Sequence, residues 1–135
     1  MTRLSGYAAD TSVPVERSRA EIENVLKKYG CDAFVSGWSP DGAMIQFAYR
    51  GRSAKVAIPY PKEHSQAKLE RAQRQRWRIL LLLVKAQLES VRCGLQSFEE
   101  AFLPWMLLLD GSTVAETMIP QLPPAKERPR LEGRR

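Results

Sequence analysis

The chain has 135 residues, of which 44% are hydrophobic, and its 21 Lys and Arg outnumber 15 Asp and Glu. This composition fits one domain with one core and excludes a chain that is disordered throughout. The net charge of +6 and the pI of about 9.6 favour polyanionic partners. Cys31 and Cys93 form neither a zinc motif nor a disulfide framework, which is typical of a reducing compartment.

The N-terminal segment, residues 1–13, lacks an apolar pattern and is predicted to be a flexible arm. Ser18-Arg19-Ala20-Glu21 has the spacing of a capping box, which predicts that the first helix begins after Ser18. An apolar stripe at helical spacing follows, made of Ile22, Val25, Leu26 and Tyr29. Gly30 is predicted to end this helix.

The next segment has the two-residue period of strands. Cys31–Trp38 is rich in strand-forming residues and ends at a Ser-Pro-Asp-Gly turn. Apolar side chains then alternate over Ala43–Tyr49 and, after a reversal at Arg50–Arg52, over Ser53–Ile58. Pro59 ends the last run, because proline cannot donate to a ladder. The sequence predicts a three-stranded antiparallel meander with one buried face.

A long helix is predicted from about Glu63 to Cys93, where no residue breaks a helix before Gly94. Its centre, residues 79–84, is apolar on every side. We expect it to be enclosed, by the C-terminal elements or by a second subunit. Six apolar residues are too few to span a bilayer, and residues 1–10 hold no signal-peptide core, so we expect a cytoplasmic protein with no membrane contact.

The C-terminal part contains two further capping-box spacings, Ser97–Glu100 and Thr113–Glu116, each predicting a short helix. A short strand is expected between them, over Trp105–Leu109. The fold class is therefore α+β, in the order α-β-β-β-α-α, with a single domain at 14–122. Residues 123–135 are predicted to be a disordered basic tail.

Basic residues recur in the long helix. Lys68, Arg71, Arg74 and Arg78 are spaced to lie close to one face, with Arg76 beside them and Trp77 between. Arg50, Arg52 and Lys55 are expected to extend this patch. Arginine binds phosphate with two parallel hydrogen bonds, and Trp38 or Trp77 could stack on a base. The alternatives stay open that the charges are only solvated and that Trp77 belongs to the apolar stripe.

Few residues in the sequence match the pattern of a catalytic site. His64 is the single histidine, and it lies among charged residues at the start of the long helix. Asp41 followed by Lys55 has the outline of a metal-dependent nuclease, but Ser53 stands where the second carboxylate is needed. We therefore expect no enzyme, no bound metal and no cofactor.

Five phrases resemble small phage- and prophage-encoded proteins of unassigned function. They are Ser36-Gly37-Trp38, Ile45-Gln46-Phe47 followed by Arg50-Gly51-Arg52, Arg74-Gln75-Arg76-Trp77-Arg78, Ser97-Phe98-Glu99-Glu100 and Asp110-Gly111-Ser112-Thr113-Val114. This resemblance implies an origin in a mobile element. The order of elements also resembles the double-stranded-RNA-binding domain, although Lys62-Glu63-His64 replaces the lysine cluster of that family.

The leading prediction is a non-enzymatic nucleic-acid-binding accessory protein of a phage or mobile element, with DNA favoured over RNA and contacts made to the backbone. The alternative is a protein-binding module, such as an inhibitor of a host defence complex or a subunit of a larger assembly. Its basis is the apolar helix centre, which also suggests a homodimer, and three aromatic residues that look exposed, Phe98, Phe102 and Trp105.

Overall fold

We describe a computed structural model of the chain over residues 11–126. Its elements are α1 (Val15–Tyr29), β1 (Ala33–Ser39), β2 (Gly42–Tyr49), β3 (Arg52–Pro59), α2 (Gln66–Arg92), α3 (Phe98–Phe102) and α4 (Val114–Met118), with 3-10 turns at Leu103–Trp105 and Ile119–Gln121. The predicted α+β class and the α-β-β-β-α order are confirmed. Most of the predicted arm, residues 1–10, and most of the predicted tail, residues 127–135, lie outside the described residues.

The sheet is an antiparallel meander in the order β1-β2-β3, as predicted. Two-residue loops close both hairpins, because Ser39 pairs with Gly42 and Tyr49 pairs with Arg52. In the second hairpin both loop residues have positive φ, 52° at Arg50 and 82° at Gly51. This is the conformation of a type I′ turn, whose twist matches that of the strands it joins.

One face of the sheet packs against α1 and α2, and this layer contains the core. Ile45 and Phe47 of β2, with Val56 and Ile58 of β3, are buried as their alternation predicts. The largest fully buried side chains are Trp77, Phe47, Phe102, Ile22, Leu26, Ile45, Leu81, Leu88 and Val84. Sheet and helices thus bury one continuous apolar cluster.

The first helix begins earlier than its capping-box spacing predicts. α1 starts at Val15, and the carbonyl of Pro14 accepts hydrogen bonds from the N–H groups of Arg17 and Ser18. Ser18 is therefore inside the helix and fully buried, and its Oγ has no partner in the described residues. The prediction that Ser18 caps α1 is wrong, because Pro14 takes the N-cap position with an extended backbone and its carbonyl accepts the first hydrogen bonds of the helix.

The end of α1 agrees with the sequence. Gly30 has φ of 118°, and its N–H donates to Lys27 while the N–H of Cys31 donates to Leu26. These two bonds form a Schellman motif, which satisfies carbonyls that the helix leaves unpaired.

The long helix α2 begins at Gln66, where the Ser65 hydroxyl accepts from the N–H of Lys68 at 3.3 Å. Leu80, Leu81 and Val84 are buried, but Ile79 and Leu83 are 47% and 42% exposed. The prediction that the apolar centre is enclosed on every side is wrong for this chain alone, because the sheet and α1 cover only one side. No helix among residues 11–126 is long and apolar enough to cross a membrane.

The C-terminal elements form a second layer beside the sheet. Both predicted capping boxes are present, with Ser97 and Glu100 at α3 and Thr113 and Glu116 at α4. The expected strand is replaced by a 3-10 turn and two isolated bridges. Leu107 donates to the Ser53 carbonyl at 2.8 Å, so this segment covers the outer edge of β3.

Of the three aromatic residues that look exposed in the sequence, Phe98 and Phe102 belong to the core and Trp105 packs against it. Phe98 and Phe102 are 5% and 0% exposed, and their rings lie 4.8 Å apart. Tyr49 lies 4.5 Å from Phe98, and Trp105 lies 5.6 Å from Phe102. The expectation that these rings are exposed is wrong for both phenylalanines, because they join the second layer to the sheet.

Candidate nucleic-acid interface

One flank of α2 carries four of the predicted basic residues. At about 100° per residue, Lys68, Arg71, Arg74 and Arg78 fall within roughly a third of the helix circumference. Arg78 Nη1 lies 3.2 Å from Glu21 Oε1, so this flank meets α1 at Arg78. Lys68 and Arg71 are exposed, and Arg74 and Arg78 are half-buried.

Helical spacing places two further sets of basic residues along the same boundary. Lys85 follows Arg78 by two turns, and Arg17 and Lys28 share the side of α1 that carries Glu21. All three are exposed. We call this set the basic seam, made of Lys68, Arg71, Arg74, Arg78 and Lys85 of α2 with Arg17 and Lys28 of α1. The sequence analysis did not predict Arg17, Lys28 and Lys85 as site residues. Helical spacing alone gives their angles relative to Glu21 and Arg78. Only the structure shows that the flanks carrying Glu21 and Arg78 face each other.

Arg76 does not belong to the seam. It lies about 160° around the helix from Arg74 and Arg78. Its Nη1 donates to the carbonyl of Pro59, at the end of β3. The prediction that Arg76 accompanies the other arginines is wrong, because a spacing of two residues places side chains on nearly opposite flanks of a helix.

The basic residues of the β2–β3 hairpin lie elsewhere. Arg52 pairs with Glu99 at 3.2 Å, and the guanidinium of Arg50 stacks over the ring of Tyr49 at 5.1 Å. Lys55 points away from the helices, because its neighbours Ala54 and Val56 fill the buried face. β3 is about 23 Å long at 3.3 Å per residue. Arg52 lies at its first residue, and Pro59, which Arg76 contacts, lies at its last. The structure therefore divides the predicted patch into separate groups.

The two candidate stacking residues differ in exposure. Trp77 is 2% exposed, and its Nε1 donates to the hydroxyl of Tyr60 at 2.9 Å. It is a core residue and has no face available to a base. Trp38 is 82% exposed at the end of β1. Of the two, Trp38 alone can stack on a ligand.

A cleft of about 760 Å³ opens between Trp38 and the first turns of α1 and α2. Gln66, Gln73 and Arg74 line it from α2, and Glu16 and Arg19 line it from α1. Arg74 Nε donates to the carbonyl of Thr11 at 3.3 Å, which holds the chain before α1 against this wall. The cleft combines aromatic, amide and charged groups.

Other chemical groups are dispersed. No cluster of three metal-binding side chains occurs in the described part of the chain. Asp41 is in the β1–β2 turn beside Pro59, whereas Lys55 lies about 13 Å along β3, so the nuclease outline is not assembled. His64 is exposed before α2. Burial, with a smaller contribution from the charge of Asp32, raises the pKa of the Cys31 thiol to about 11.

Comparison with protein-family models, curated proteins and solved structures gave no match to this chain.

Proposed function

We propose that the protein binds nucleic acid through the basic seam and acts as a non-enzymatic accessory protein of a phage or mobile element. The observation that carries the proposal is the row of cations along the boundary of α1 and α2, of which all but Arg74 and Arg78 are exposed. Arg71 and Lys85 are exposed and make no ion pair within residues 11–126. Their charges are therefore available to phosphate.

The spacing of the seam suits a nucleic-acid backbone. At a rise of 1.5 Å per residue, Arg71 and Lys85 are about 21 Å apart along the axis of α2. This length spans several phosphates of one strand. Because phosphates are the same at every base, contacts to them do not depend on the base sequence. Two acidic residues at the seam are paired with arginines, Glu21 with Arg78 and Glu89 with Arg92. Binding by the seam would read the backbone and its shape.

The test is fluorescence anisotropy with labelled single-stranded DNA, duplex DNA and RNA at one fixed salt concentration. The double variant Arg71→Gln and Lys85→Gln removes two charges from the seam. Its matched control, Arg50→Gln and Lys55→Gln, removes two charges from the hairpin. We expect the seam variant to weaken binding several-fold and the control to remain near wild type. Equal losses would mean that net charge alone drives binding, and the proposal would fail.

A second candidate function, protein binding, is favoured by a group of exposed apolar side chains in the C-terminal layer. These are Leu103, Leu108, Leu109, Met118, Ile119 and Leu122, each more than 40% exposed. Leu109 is fully exposed in the turn between Leu108 and Ser112. Exposed apolar residues mark a site of protein contact where they form one contiguous patch.

This second function has its own test. Sedimentation at increasing protein concentration would compare the wild type with Leu109→Asp and Ile119→Asp. Leu95→Asp is the matched control, because Leu95 is 77% exposed and lies outside the segment. Self-association that is lost in the first two variants and kept in the control would support an interface between copies. A wild type that stays monomeric would exclude self-association and leave a different protein as the partner.

A further inference from the structure

Trp38 occupies an unusual place for so large an apolar side chain. It pairs with Ala43, which is buried, so the two side chains share the face of the sheet that carries the core. Trp38 is nevertheless 82% exposed. The helices cover β2 and β3 and leave the end of β1 open, since Ser36 on the same face is also exposed. The indole therefore stands at the rim of the cleft without a packing role.

The wall of the cleft opposite Trp38 offers hydrogen-bonding groups. Gln66 Nε2 donates to Glu70 Oε2 at 3.2 Å, and Gln73 lies about one turn beyond Glu70 along α2. Amide and carboxylate groups are those that pair with the edges of nucleobases. A volume of about 760 Å³ falls within the range of small-ligand sites and exceeds that of one base.

Arg74 connects the cleft to the basic seam. It lines the cleft, and it lies on the same flank of α2 as Arg71 and Arg78. Its Nε is engaged by Thr11, which leaves its terminal nitrogens for a second acceptor. A backbone that follows the seam would therefore pass the mouth of the cleft at Arg74.

We propose that the cleft receives an unpaired nucleobase, stacked on Trp38, from a single strand whose phosphates lie on the basic seam. This inference rests on the proposed function and narrows its ligand to single-stranded nucleic acid. A base within a duplex has both faces covered by its neighbours, so an aromatic side chain at a cleft rim can stack only on an unstacked base. Trp38 is then the stacking residue, and Gln66 and Gln73 contact the base edge.

The test compares binding of an oligo(dT) strand and of a duplex of equal length, by anisotropy, for the wild type and three variants. Trp38→Ala removes the ring, and Trp38→Phe keeps a smaller one. Val35→Ala is the matched control, because Val35 is 60% exposed on the opposite face of β1. Circular dichroism melting confirms that each variant folds, which is expected for substitutions at exposed positions.

We expect Trp38→Ala to weaken single-strand binding by roughly 5- to 100-fold, Trp38→Phe to recover part of the loss, and Val35→Ala to change nothing. Duplex binding should stay as in the wild type for all three. The strand should also quench tryptophan fluorescence in the wild type and much less in Trp38→Phe, since Trp77 is buried and Trp105 is half-buried.

Two results would overturn the inference and are distinguishable from failure of the proposed function. If Trp38→Ala binds single strands as tightly as the wild type while seam variants lose affinity, the result supports binding by the seam and contradicts the proposed base site. If the wild type binds a duplex but no single strand, the inference alone fails, and an extended peptide beside the free edge of β1 becomes the occupant to test. If neither ligand binds, both proposals fall.

Discussion

Arg78 and Glu21 form an ion pair at 3.2 Å across the boundary between α1 and α2. Their side chains are 31% and 40% exposed, so solvent screens the pair and its contribution to stability is about 0–1 kcal/mol. The pair has a larger consequence for the surface, because Glu21 neutralises one arginine at the centre of the basic seam.

Replacing Glu21 with Gln should therefore increase affinity for nucleic acid. The change frees Arg78 for phosphate and removes a negative charge that repels the backbone. Glu23→Gln is the control, because Glu23 lies on the opposite flank of α1 and carries the same charge. Anisotropy at fixed salt should show tighter binding for Glu21→Gln than for Glu23→Gln, and an equal effect of the two would contradict a localised seam.

The hydrogen bond from Trp77 to Tyr60 should contribute to stability and not to binding by the seam. Tyr60→Phe leaves the buried indole N–H without its acceptor, and we expect the free energy of unfolding to fall by about 1–3 kcal/mol. Urea denaturation measures this change. A midpoint equal to that of the wild type would show that water replaces the hydroxyl.

Gly42 should not tolerate a side chain. A Cβ there would lie 2.7 Å from the carbonyl oxygen of Ile58 and 3.2 Å from Cα of Pro59, both backbone atoms of the paired strand. Gly42→Ala should lower the free energy of unfolding by about 1–3 kcal/mol, as overpacking does. Gly37→Ala is the control in the neighbouring strand, where a Cβ would meet the flexible side chain of Met44 at 3.7 Å. Thermal melts of the two variants should differ clearly.

The two cysteines should react at different rates. Cys93 is exposed, whereas Cys31 is half-buried and burial raises its pKa to about 11 from 9.0. Iodoacetamide at pH 8 should therefore modify Cys93 first, because the thiolate is the nucleophile. Mass spectrometry of Cys93→Ser should show little alkylation at that pH, and rapid modification of Cys31 would contradict its burial.

The raised pKa of Cys31 also predicts how the free energy of unfolding changes with pH. The folded state holds the Cys31 proton more tightly than the unfolded state, so its contribution is complete below pH 9. It is lost as the pH rises from about 9 towards 11. Comparing urea midpoints of the wild type and Cys31→Ser across this range should show a steeper decline for the wild type.

Local patterns in the sequence predicted the sheet, the end of α1 and the capping boxes of α3 and α4. Each of these depends on neighbours within a few residues, such as the αL glycine at Gly30. The start of α1 was mispredicted because two local signals compete, and the extended Pro14 precedes the serine spacing by four residues. When the sequence offers two possible N-caps for one helix, residue spacing alone does not show which of them the folded protein uses.

The candidate site was only partly predictable, because its geometry depends on which flank of α2 faces which neighbour. Arg76 and Arg78 are two residues apart in sequence, yet one contacts β3 and the other contacts α1. The same reason explains Ile79, which the sequence places in an enclosed segment and the structure leaves 47% exposed. Helical phase gives the angle between two side chains, and only the packed structure gives the partner at each angle.

The salt dependence of binding tests the central claim, that the basic seam contacts phosphate, most directly. Anisotropy titrations between about 50 and 200 mM salt would compare the wild type with Arg71→Gln and Lys55→Gln. Each of these two variants removes one positive charge. We predict that Arg71→Gln reduces the slope of log K against log salt by about one, whereas Lys55→Gln leaves the slope unchanged. Equal slopes for Arg71→Gln and the wild type would contradict the account.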